Sequence, residues 1–247
     1  MAEKLKLEID ELKLYFGYDY PIGDIVIHQP TMGEIIEYGE REYYSMVHCL
    51  TSIPSDAKSL LWDSGIDYCK ISDFEYFIHM TRNLTQEQTG ILLGDIDLSK
   101  MNVYKKEDDL FLVDEERGII IDKMVYLNIS TYLRMLHNIK SKPEKTKSKI
   151  VRDILIEEDR RKRELHKDDD YKSALLPMFS VLVTSGVYHK SELKQVGLYE
   201  FFNTVNRLPM LKTAAAVMNG LYCGFADYSK NRSILDQANI YRDIPNN

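Results

Sequence analysis

Few residues in this chain stand at spacings that support bond-making chemistry. Asp95 and Asp97 flank Ile96. On an extended segment such a pair points both carboxylates to one face, the arrangement by which a metal-dependent hydrolase or a sugar-nucleotide enzyme holds a divalent ion. A lone pair of this kind is common by chance, and Gly94 before it favours a turn. His48 and Cys49 are adjacent, so on a helix they diverge by about 100° and make poor joint ligands for one ion. The six histidines are scattered and contain no HExxH pair. Glu192 and Lys194 have the spacing of a nuclease acid–lysine pair, yet their surroundings read as helix. No G-x-S-x-G elbow and no phosphate-cradling loop is present, and the 12 glycines are mostly single. Cys49, Cys69 and Cys223 are far apart and form no CxxC, so they read as reduced thiols. The expectation is a non-catalytic protein with no metal or cofactor.

Charge narrows the partner class. The net charge is −7, which gives no overall field for holding nucleic acid. Arg160, Arg161, Lys162 and Arg163 form a basic cluster, and Glu157, Glu158 and Asp159 precede it in the same helical stretch. Acidic neighbours cancel most of its field beyond a Debye length of about 10 Å. Ion pairs at i,i+3 and i,i+4 account for the stretch as a solvated face, and a protein-docking surface is the functional alternative. The chain carries 17 tyrosines against 8 phenylalanines and one tryptophan. Tyrosine couples apolar area to a polar tip and is enriched at protein interfaces. Tyr38, Tyr43, Tyr44 and Tyr199 are therefore candidate interaction residues. Codon bias in an AT-rich genome is the competing explanation.

Helix starts are the clearest local signal. Thr31 with Glu34, Ser72 with Glu75, and Thr85 with Gln88 each match a capping box ahead of an apolar-periodic run. The first helix is expected to carry Ile35, Ile36, Gly39, Tyr43, Met46, Val47 and Leu50 on one face. Pro54 suits the first turn of another helix, with Leu60 and Leu61 as its buried side and Gly65 as its stop. Phe74, Phe77 and Ile78 should face inward from the Ser72 helix, and the Thr85 helix should end near Gly94. Ile22 to Ile27 reads as a strand, and the alternating Leu5, Leu7 and Ile9 fit a strand or a short helix. Segments near 101–105, 110–113 and 119–121 have strand character. The last two flank an acidic turn ending in Gly118, a β-hairpin signal. Helical period returns at Asp122 with Val125, Ile129, Leu133 and Leu136.

Residues 141–172 are charged almost throughout. Ile150, Ile154 and Leu155 give them a narrow apolar stripe, so they are expected to form a projecting or connecting helix. A helix over Leu175 to Val183, one over Leu198 to Leu208 and one over Ala214 to Leu221 should follow. From Asp227 the sequence is polar and loosely patterned. The predicted fold is mainly α with a small β element: a helical bundle with an N-terminal strand and a β-hairpin near 101–121. Its parts are an N-terminal α+β part over 1–140, the charged connector over 141–172 and a C-terminal helical part over 173–247. The longest apolar run, Ala174 to Val183, is far short of the roughly 20 residues that span a bilayer, so no membrane association is expected.

Several stretches of the text resemble proteins of tailed bacteriophages and prophages of Gram-positive hosts. They are Ile27 to Glu40 (IHQPTMGEIIEYGE), Leu61 to Asp67, Ser72 to Phe77, Gly94 to Asp97, Ile156 to Arg160, Leu193 to Phe201 and Gly220 to Phe225. They run in order through most of the chain. The resemblance implies a role in tail morphogenesis, as an assembly chaperone for the tape-measure protein or as a tail or baseplate component. It implies other phage tail proteins as partners, self-association as a further option, and residence in the host cytoplasm or in the virion tail. A phage effector that engages a host or defence protein is the competing reading.

Overall fold

The computed structural model describes residues 9–107, 109–167, 169–224, 236 and 238–244. Leu5 and Leu7 lie outside the described residues, as does most of the polar stretch after Asp227. Ten α-helices and five short strands make the described chain mainly helical with a minor β part, as the sequence pattern predicts.

Helix α1 (Glu11–Tyr15) starts where the Asp10 carboxylate accepts from the N–H groups of Leu12 and Lys13. Strands β1 (Tyr20–Ile22) and β2 (Ile25–Ile27) follow. The single strand expected over Ile22 to Ile27 is therefore a hairpin. Gly23 and Asp24 form a two-residue connection, the loop length that best joins antiparallel strands. Ile22, Ile25 and Ile27 turn inward and Val26 outward.

Thr31 caps α2 (Met32–Tyr38) as predicted. Its hydroxyl accepts from the Glu34 N–H at 3.3 Å, and the Glu34 carboxylate accepts from the Thr31 N–H at 2.7 Å. The expected continuous helix breaks at Gly39, whose φ of 103° no helix contains, and resumes as α3 (Glu40–Thr51). The apolar spacing survives the break: Ile35, Tyr43, Met46, Val47 and Leu50 are buried, and only Ile36 faces out.

A 3-10 turn at Pro54–Asp56 leads into α4 (Lys58–Asp63). Of the leucine pair expected on its buried side, Leu61 is buried but Leu60 is 54% exposed. One turn and a half of helix offers one inward leucine position. Helix α5 (Asp73–Thr81) has the full Ser72–Glu75 box and buries Phe74, Phe77 and Ile78. Helix α6 (Gln86–Leu93) begins where the Gln88 side chain accepts from the Thr85 N–H at 3.1 Å, and ends at Gly94.

Strands β3 (Asn102–Lys106), β4 (Asp109–Asp114) and β5 (Ile119–Ile121) form an antiparallel meander in that order, one strand more than a hairpin. Asp122 caps α7 (Lys123–Leu136), which buries Ile129, Leu133 and Leu136. Helix α8 (Lys149–Leu165) occupies the charged stretch, and α9 (Leu175–Thr184) follows it. Helix α10 (Leu198–Tyr222) runs through Pro209, where two helices are expected. Proline removes one hydrogen bond and crowds the carbonyl four residues back, but the flanking turns keep helical geometry.

The main apolar core runs from Leu14 to Phe201, so side chains of α9 and α10 share it with those of α2, α3, α5 and α7. A second, smaller cluster joins Ala57, Leu61, Tyr68 and Tyr76 to Ile156 of α8. Helix α2 lies close to the 3-10 turn at Leu193–Gln195. A Cβ on Gly33 would sit 2.8 Å from the Lys194 carbonyl oxygen, so only glycine allows this approach.

Helices α3 and α7 are tied by a buried polar pair. The Tyr43 hydroxyl lies 2.7 Å from His137 Nε2, and His137 Nδ1 lies 2.7 Å from the Leu133 carbonyl. A carbonyl only accepts, so Nδ1 carries the proton and Nε2 accepts from Tyr43. Tyr44 packs edge-on against both rings. Burial holds the imidazole neutral, moving its pKa from 6.5 down to about 4. As pH falls below 6.5 the unfolded chain takes up a proton that the folded chain refuses. Stability is therefore expected to fall by as much as ~3 kcal/mol between those two values. Urea unfolding at about pH 7.5 and about pH 5, compared with His137→Gln, should show a drop that the variant largely lacks; equal drops would remove His137 as the cause.

Candidate functional site

The acidic pair is used locally. Asp97 caps the 3-10 turn at Leu98–Lys100, accepting from the Ser99 hydroxyl at 2.6 Å and its N–H at 3.1 Å. The Ser99 hydroxyl and N–H, helped by Lys100, outweigh partial burial and hold the Asp97 carboxyl below its usual range. The Asp95 carboxylate sits beside the Gln86 amide at 3.4 Å, and the Asp95 carbonyl accepts from Arg117. The pair thus forms the turn that Gly94 favours. Among the described residues no three His, Cys, Asp or Glu side chains converge as metal ligands. No described helix is long and apolar enough to cross a membrane.

Helix α8 departs most from expectation. Its apolar stripe divides: Ile150 is 74% and Ile154 53% exposed, while Leu155 is half-buried. The face that docks on α4 is built from Arg152, Ile156, Asp159 and Arg163, which recur at i, i+4, i+7 and i+11 and so share one side of a helix. Arg152 pairs with Asp67 at 2.7 Å and lies over the Trp62 ring at 4.9 Å from its centroid. Asp159 accepts from the Ser59 N–H at 2.9 Å and from the Ser59 hydroxyl at 2.6 Å, and pairs with Arg163 at 3.1 Å. Burial opposes the charge on Asp159, but the Ser59 donors and Arg163 outweigh it and hold its carboxyl low.

The basic cluster is divided by this docking. Arg160 pairs with Asp63 at 2.6 Å and with Glu157 at 2.7 Å, and Arg163 also donates to the Asp56 carbonyl at 3.2 Å. These two cations serve the chain itself, so the stretch is not the uniformly solvated face that its composition predicts. Arg161 and Lys162 remain exposed on the outer side.

The tyrosine candidates also separate. Tyr43 is fully buried against His137 and is unavailable to a partner. Tyr44 is half-buried beside it, where burial and then Glu40 push its phenol well above the ordinary range. Tyr38 donates to the Gln88 carbonyl at 2.9 Å and lines a cavity of about 590 Å³ with Arg41, Glu42 and Glu87. Tyr199 lines a cavity of about 550 Å³ between α10 and the end of α7, with Phe202, Asn203, Asn206 and Asn138. Two cations on that cavity already bind backbone. Arg134 donates to the Thr51 carbonyl at 2.9 and 2.7 Å, and Arg207 to the Arg242 carbonyl at 2.6 Å.

What remains open to a partner is mainly apolar. Helix α9 and its flanks, Ala174 to Val187, carry no charged side chain. Leu175 and Leu182 are buried, yet Leu176 is 66% and Val183 38% exposed, with Val181 and Val187 also at the surface. A helix that is apolar all round is ordinarily buried all round. Its uncharged composition was visible in the sequence, but which side faced out was not.

The chain has no significant match to a protein-family model, to a curated protein or to a solved structure.

The α8 contacts predict a local unit of stability. Asp159→Ala leaves the Ser59 N–H and hydroxyl without their acceptor, at a cost of about 1–3 kcal/mol. Amide hydrogen exchange across α8 and α4 should speed up while α3 and α7 keep their protection. Uniform loss of protection through all four helices would show that α8 is not separable.

Proposed function

We propose that this chain is a non-catalytic docking protein that acts in bacteriophage tail assembly, as a chaperone or a tail or baseplate component. The observation that carries the reading is the open side of α9, an uncharged helix that exposes Leu176 and Val183 on one flank and Val181 on the other. Interface cores are depleted in charge, and apolar side chains exposed on an uncharged helix suit contact with another polypeptide. The resemblance of Ile27 to Glu40, Leu193 to Phe201 and the other stretches to phage tail proteins supplies the biological setting. The tape-measure protein and baseplate proteins are the proposed partners. The net negative charge of the chain would suppress nonspecific association.

Co-purification from cells expressing the chain with tape-measure or baseplate proteins tests this. The wild type should retain one of them, and the pair Leu176→Asp and Val183→Asp should lose it. Both positions are solvent-facing, so the helical circular dichroism and the thermal midpoint of the variant should stay close to wild type. Retention of host proteins alone would replace this reading with that of an effector. Capture of a tail protein that survives the double substitution would move the surface away from α9.

A further inference from the structure

Helix α8 uses one side for α4 and leaves a second, ordered side to solvent. With about 100° per residue, Arg152, Ile156, Asp159 and Arg163 cluster on one side, and Ile154, Glu158, Arg161 and Leu165 cluster on the opposite one. Ile154 and Leu165 are 53% and 70% exposed, and Glu158 and Arg161 are exposed between them. Among the described residues, neither Glu158 nor Arg161 forms an ion pair within the chain, although they stand three residues apart. Among the described residues, nothing in the chain's own packing accounts for this side.

The order of the four residues reads Ile, Glu, Arg, Leu at positions 154, 158, 161 and 165, the alternating spacing of four and three that forms a seam between paired helices. That order is complementary to its own reverse. If a second α8 runs antiparallel about a two-fold axis between residues 159 and 160, Ile154 meets Leu165 of the other copy at both ends. Glu158 meets Arg161 of the other copy in both middle layers. Glu157 meets Lys162 alongside. In a parallel pairing, by contrast, Glu158 would face Glu158 and Arg161 would face Arg161. A two-fold interface needs one surface that complements itself, and charge arrangement fixes partner and orientation.

We infer that the outer side of α8 binds a second copy of this chain, as an antiparallel helix pair with two apolar end layers and two ionic middle layers. The seam spans only about 16 Å, so the dimer forms reversibly and dissociates on dilution. It uses α8, not the α9 face, so it stands whether or not the proposed tail partner is correct.

Sedimentation velocity on the full chain, over about 1 to 100 μM, tests it through charge reversal. The wild type should shift from monomer to dimer across that range. Glu158→Arg places Arg opposite Arg in the middle layers, and Arg161→Glu places Glu opposite Glu. Each variant alone should weaken the dimer at least about ten-fold. An equimolar mixture of the two variants should restore it, because each then meets its opposite charge. All these positions are exposed, so unchanged circular dichroism will confirm the fold. A wild type that stays monomeric throughout, or a dimer indifferent to both reversals, would overturn the inference.

Discussion

Gln29 is 3% exposed, and its amide joins three segments that are far apart in the sequence. Its Nε2 donates to the Leu14 carbonyl at 2.8 Å, and its Oε1 accepts from the Tyr199 N–H at 3.2 Å. Beside it, the Met32 N–H donates to the Val196 carbonyl at 2.9 Å, and the Leu198 N–H to the Pro30 carbonyl at 3.1 Å. A helix leaves its first N–H groups without internal partners, and Gly197, at the cap position of α10, has no side chain to offer. Gln29 and Pro30 supply the acceptors from the other end of the chain. The start of the long C-terminal helix is therefore fixed by the residues that lead into α2. A buried amide left without partners would cost about 1–3 kcal/mol per group, so this crossing holds α1, α2 and α10 in one arrangement.

Around that crossing the chain uses two kinds of cohesion. The main core is apolar, and the buried Tyr43–His137 pair, with Arg134 donating to the Thr51 carbonyl, fixes how α3 meets α7. The α8–α4 contact is different. It has Ile156 at its centre, and around it Arg152, Asp159, Arg160 and Arg163 reach carboxylates, a serine and a backbone carbonyl. Polar contacts of this type give orientation more than net stability, because desolvation offsets much of their attraction. Helix α8 is thus positioned with little apolar burial, and its remaining apolar side chains stay at the surface.

The same logic organises the outside of the molecule. Residues whose types suggest chemistry or recognition are largely consumed by the fold: Asp97 in a cap, Arg160 on Asp63 of α4, Arg163 on Asp159 and the Asp56 carbonyl, Tyr43 in the core. Two of the surfaces left over are the uncharged side of α9 and the outer side of α8. Both are defined by side chains that their own helix cannot bury, and both suit another polypeptide better than a small molecule.

The sequence by itself determined the local elements. Hydroxyl–carboxylate pairs at Thr31 and Ser72 fix helix starts because the partners lie three residues apart, within reach of local geometry. Apolar spacing identified the buried faces of α3, α5 and α7 for the same reason, and the strand segments near 101–121 were legible from their β-branched, turn-bounded runs. Tertiary structure decided everything that depends on distant partners. The apolar stripe of Ile150, Ile154 and Leu155 says nothing of its direction, and it is Asp159 finding Ser59 a hundred positions away that leaves Ile150 and Ile154 to solvent. Tyr43, on the apolar face of its helix yet also a candidate interaction residue, is assigned to the core only once His137 is placed beside it, and Pro209 looks like a helix end until its neighbours carry the helix past it. Periodicity says that a helix has two sides. Which side meets water is set by the charges and donors that the rest of the chain brings to it.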